Sequence, residues 1–121
     1  MRKTVLSLAV LLAFSLVPMG YSTSSHADAS ADVIAEGKDL TENRRKGNCL
    51  SCHLIGDGVF PGTHGPPLIF MKQRFPDKAK LRARIWDATA ANPNSMMPPF
   101  GRHGILTDEE IDKITEYIYT L

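Results

Sequence analysis

Cys49-Leu50-Ser51-Cys52-His53 reads C-x-x-C-H and holds the only two cysteines of the chain. Two thiols separated by two residues suit addition to the two vinyl groups of one porphyrin, and the histidine that follows is then held beneath the ring as an axial iron ligand. The cofactor expected is one covalently bound haem c, with Cys49 and Cys52 as its thioether attachments and His53 as a ligand to iron. No thiol is left for other covalent chemistry. Three other readings use the same residues. Zinc wants four ligands, so a second pair would have to come from the scattered His64 and His103. A thioredoxin-like dithiol belongs in a βαβ setting, where His53 would be incidental. A plain short disulfide is the third. The motif favours haem over all of them.

Attachment of haem to C-x-x-C-H belongs to the outer side of the cytoplasmic membrane, so an export signal is expected. Arg2 and Lys3 give a positive start, Val5 to Val17 an apolar run, and Ser25-His26-Ala27 or Ala27-Asp28-Ala29 a small-residue cleavage site. The run of 13 residues is shorter than the roughly 20 that span a bilayer. Residues 1–27 therefore read as a cleaved signal peptide, with cleavage after Ala29 as the variant, and 28–121 as one periplasmic domain. No cysteine follows the run to carry a lipid, and no stable membrane anchor is expected. Cleavage after Ala27 removes two basic residues and no acid, leaving 12 basic against 13 acidic side chains. The formal charge moves from +1 to −1, without the basic excess that nucleic-acid binding requires. A domain this small buries a modest core, and a porphyrin would supply much of its apolar interior.

Along the chain the periodicity predicts helices and no strands, so the fold class is all-α. Residues 30–47 read as a first helix with Val33, Ile34, Gly37 and Leu40 on one side. Gly37 costs about 1 kcal/mol there relative to alanine, which implies a close approach by another element. The Gly- and Pro-rich stretch 54–67 reads as a long loop, and such loops usually line something. A short helix is expected within 67–74. Asp77 caps a helix running from Lys78 to about Ala91, with Leu81, Ile85 and Ala88 buried. After a proline-rich stretch, Thr107 and Glu110 form a capping box for the last helix, whose Ile111, Ile114, Ile118 and Leu121 mark one face beside Tyr117.

The sixth iron position is open to Met71, Met96, Met97, His64 or His103, or stays vacant. Met97 lies in Met-Pro-Pro-Phe, where the prolines stiffen the backbone and preorganise a thioether. It is the expected second axial ligand, with adjacent Met96 its competitor and Met71 read as core filling. A lone histidine is more often a surface or hydrogen-bonding residue. Gly65-Pro66 follows the motif at a distance that lets a backbone carbonyl, expected to be that of Pro66, accept the other ring N–H of His53. Arg44, Arg45, Arg84 and Arg102 could reach a propionate or a partner, or be plain surface charges. Trp86 is either a propionate donor or a core residue.

C-x-x-C-H near a first helix, Gly-Pro after a loop, Met-Pro late and a terminal amphipathic helix together resemble class I cytochrome c. The resemblance covers nearly the whole mature chain and implies helices packed around one haem, the first and last crossing at Gly37 and Leu40 against Tyr117. More closely, Gly47 to His53, Gly65 to Leu68, Arg84-Ile85-Trp86-Asp87 and the run from Met97 to Thr107 look like the SoxX family. SoxX is the small cytochrome subunit of the periplasmic SoxAX complex of sulfur-oxidising bacteria. That likeness makes His53 and Met97 the axial ligands. It implies an electron-transfer subunit partnered by SoxA, with transient contacts to the carrier SoxYZ and an acceptor cytochrome. The implied reaction is a heteromeric L-cysteine S-thiosulfotransferase, in which thiosulfate is joined oxidatively to a SoxYZ cysteine. Because both cysteines here are consumed by haem, the sulfur-transfer site is expected on SoxA and no catalytic residue on this chain. The alternative is a free-standing diffusible carrier, which the near-neutral charge disfavours for want of a steering field. A ligand-binding sensor would need an open iron site.

Overall fold

Helix α1 spans Ala31–Glu42 in the computed structural model, which describes residues 29–121. The expected signal peptide at 1–27 lies outside the described residues. Ser30 caps α1 by accepting from Val33 N at 3.4 Å. The helix stops at Glu42, five residues short of the expected end. Asn43 turns the chain: its side chain accepts from Arg45 N at 2.9 Å, and its backbone leaves the helical region at ψ 114°. A short polar side chain that bonds its own neighbours offers the backbone an alternative to the helix.

A 3₁₀ turn at Cys49–Ser51 follows, then the long loop. Among the described residues the only β pairing is one isolated parallel bridge, Ile55 with Leu68. It folds the loop back on itself, assisted by Leu68 N donating to Leu54 O at 2.9 Å. The short helix α2 occupies Met71–Arg74. Helix α3 runs Lys78–Trp86, capped by Asp77, which accepts from Ala79 N at 2.9 Å. It was expected to reach Ala91 and ends sooner, because Asp87 leaves the helical region and caps a separate 3₁₀ turn at Ala88–Ala90. Leu81, Ile85 and Ala88 are buried as the spacing predicts.

Helix α4, Asp108–Tyr119, carries both halves of the capping box: Glu110 N donates to Thr107 Oγ1 at 3.2 Å, and Thr107 N donates to Glu110 Oε2 at 3.0 Å. Its inner face buries Ile111, Ile114, Tyr117 and Ile118. Each such isoleucine contributes on the order of 1.5–3 kcal/mol by leaving water. Helix α1 packs across α4 at Gly37. A Cβ built there would overlap the Lys113 carbonyl and lie 2.9 Å from Tyr117 Cβ, so the missing side chain is what lets the two backbones meet. The crossing is edged by Lys113, which bridges Glu36 of α1 and Glu109 of its own helix at 2.7 Å each. On the other side of α4, α3 is joined to it by Lys78 with Glu116 and by Arg82 with Asp108 and Asp112.

Thr107→Ala is expected to destabilise the domain by about 1 kcal/mol, the usual worth of an N-cap, as read from a urea midpoint. Glu110 adds a pH dependence. Its hydrogen bonds from Lys46 and then Thr107 hold the carboxyl below its ordinary value of 4.5. A depressed carboxylate stabilises above its unfolded pKa, and the contribution is lost as pH falls through the folded value. The stability gap between wild type and Glu110→Ala should therefore shrink as pH is lowered from 7 to below 4.5.

Candidate functional site

The C-x-x-C-H turn is wound tightly. Cys52 N and His53 N both donate to Cys49 O, at 3.1 and 2.9 Å, which gathers two thiols and one imidazole onto a single turn. Both cysteines are free and partly buried. Burial pushes the Cys49 thiol up to about 11, so at neutral pH it stays protonated. A thioether at that position would bury no ionisable group.

His53 is fixed from outside the turn. Its Nδ1 stands 2.7 Å from Pro66 O. A proline carbonyl can only accept, so Nδ1 carries the proton and Nε2 keeps its lone pair for a metal. Gly65 N donates to Cys52 O at 2.8 Å, and a Cβ at Gly65 would run into the imidazole, lying 2.8 Å from Nε2. The Gly-Pro pair thus brings the backbone flat against the ring that it orients.

The residues singled out from sequence separate clearly. Met97 is partly buried and packs against the core cluster, while Met96 is 80% exposed. Met71 is a core residue, 1% exposed. His64 and His103 are exposed, as are Arg44, Arg45 and Arg84. Arg102 reaches Asp87, with Nε 3.3 Å from Oδ2. Among the described residues no three His, Cys, Asp or Glu side chains are grouped as a metal site, which leaves the zinc reading without its second pair of ligands. Trp86 is no core residue: it is 37% exposed, beside Gly101.

These donors fit a haem c. The turn presents two thiols and a tautomerically fixed imidazole, and a thioether is held in the loop at Met97. Leu54 next to His53, Ile69 beyond Pro66, and Ile105 beyond Met97 are each exposed by 40% or more.

Residues 32–118 match the family model described as cytochrome c oxidase, cbb3-type, subunit III. The chain belongs to this cytochrome c family. The cytochrome is also similar to the crystal structure of SoxXA from P. pantotrophus, with a TM-score of 0.64 and 28% identity, over 71% of this chain and 79% of that one. It is thus a SoxX-like electron-transfer cytochrome with the class I cytochrome c fold. An uncharacterized lipoprotein of Aquifex aeolicus (strain VF5) is 38% identical to it over 76 residues, covering 62% of this chain. The cytochrome spans only 37% of that relative's length.

Proposed function

We propose that this cytochrome is the electron-accepting subunit of a periplasmic SoxAX complex, exported with cleavage of residues 1–27. The observation that supports this most is its likeness to the SoxXA structure at 28% identity. Cys49 and Cys52 anchor one haem c, His53 and Met97 are the axial ligands, and the Pro66 carbonyl orients His53. A bound haem c supplies one-electron transfer. Joining thiosulfate to a cysteine of SoxYZ forms a sulfur–sulfur bond, releases the thiol proton and frees two electrons. They leave singly through this chain to an acceptor cytochrome. A bound haem c would take up both cysteines of this chain, and His53 and Met97 would be the residues to hold its iron. Substrate therefore does not bind here, and the sulfur-transfer site lies on SoxA.

The test is purification on a tagged form of this chain from cells grown on thiosulfate. A stoichiometric second secreted cytochrome carrying an additional cysteine is expected. Recovery of the monomer alone would overturn the assignment and favour a diffusible carrier.

A further inference from the structure

The segment carrying Met97 leaves the fold and returns to it through one neck. Trp86 ends α3, and its carbonyl accepts from Gly101 N at 3.0 Å and from Arg102 N at 3.4 Å. A side chain on Gly101 would overlap the Trp86 indole, so the two strands of the neck touch backbone to ring. Beside them Asp87 is 8% exposed. One of its oxygens accepts from Thr89 N at 2.9 Å and Thr89 Oγ1 at 2.5 Å. The other stands 3.3 Å from Arg102 Nε across the neck. What lies between is a closed loop of the Ω kind, within which Met97 N donates to Ser95 Oγ at 3.2 Å.

The division of labour within the carboxylate is informative. Capping the 3₁₀ turn uses one oxygen and needs no charge. The second oxygen faces the return segment, where it meets a guanidinium. Arg102 is half exposed while Asp87 is nearly enclosed, so the acid is the fixed half of the pair and the arginine is the half that docks. Loops of this type can open locally, and here the ends of the loop are fastened by the Trp86 carbonyl and, through side chains, by Asp87.

We propose that Asp87 is a positioning residue for Met97: by gripping Arg102 across the neck it holds the loop closed and keeps the thioether in place as an iron ligand. This rests on the reading of Met97 as the second axial ligand. Each opening of the loop exposes the iron to an external ligand, so the apparent affinity for that ligand reports the open fraction.

The experiment titrates the ferric holoprotein with cyanide and records a urea midpoint for each variant. Asp87→Asn keeps an oxygen for Thr89 and loses the charge; Arg102→Gln alters the exposed half of the pair and leaves the cap intact. Each is expected to tighten apparent cyanide binding roughly tenfold, in proportion to the open population. The double variant should do no more than the stronger single one, since both remove the same latch. Unchanged cyanide binding in both single variants, beside tighter binding in Met97→Ala, would overturn the proposal even if the urea midpoints fell. Additive effects in the double variant would overturn it too. Failure of Met97→Ala itself to tighten cyanide binding would instead refute the ligand reading on which the proposal rests.

Discussion

Gly37→Ala is expected to lower the unfolding free energy of the holoprotein by about 3 kcal/mol, the upper part of the range for overpacking a close contact. Its sign is what makes the prediction informative. In an exposed helix the same change would stabilise by about 1 kcal/mol, because alanine is the better helix former. At Gly37 the added methyl meets the Lys113 carbonyl and Tyr117 Cβ. The first obstacle is backbone held inside α4, so no rotamer change relieves it and the two helices must separate. Separation also removes cover from Ile111 and Ile114, which are 0% and 1% exposed. Urea unfolding followed by far-UV circular dichroism measures the effect. The opposite control is Ala35→Gly on the exposed side of the same helix, expected to cost about 1 kcal/mol from propensity alone. A Gly37→Ala protein as stable as wild type would mean that α1 and α4 do not meet as described.

Met97→Ala is expected to lower the reduction potential by on the order of 0.1 V or more, within the roughly 0.8 V that axial ligands span. A thioether is a soft, neutral donor that favours the ferrous state, and losing it removes that preference. Met96→Ala should leave the potential unchanged. The two neighbours are chemically identical, and only their surroundings distinguish them: Met97 packs on the core, whereas Met96 is 80% exposed. A redox titration of both variants decides the matter. Equal shifts would show that the choice between them is wrong.

The chemistry-bearing residues were legible because each announces itself locally. C-x-x-C-H is a spacing, Gly65-Pro66 a turn dipeptide at the right remove, and Thr107 with Glu110 a capping box that fixes where α4 begins. Gly37 was legible as an anomaly, a poor helix former on an otherwise apolar stripe. The helix ends were less legible. Asn43 and Asp87 both lie within runs that keep helical periodicity, and each ends its helix by bonding nearby backbone N–H groups, Arg45 in one case and Thr89 in the other. An Asx residue followed by an acceptor-seeking N–H two positions on is a signal that competes with periodicity, and in both places it prevails. The neck of the Met97 loop was not legible as a unit. Arg102 reads from sequence as a propionate or partner contact or a plain surface charge because its own partner lies 15 positions earlier in the chain, and no periodicity links the two. Trp86 likewise sits against Gly101 and not in the core, an outcome decided by tertiary packing.

The crossing of α1 and α4 joins residue 37 to residues 113 and 117, almost the two ends of the domain. A contact of such long sequence separation is slow to form, since the intervening chain must be closed into one loop before any packing repays the lost entropy. Cys49, Cys52 and His53 lie inside that loop. In a chain that emerges N-terminus first, the turn at Cys49, Cys52 and His53 therefore precedes the closing of that loop for as long as α4 is still to come. The architecture builds in a waiting period, and the last helix to arrive is the one that ends it.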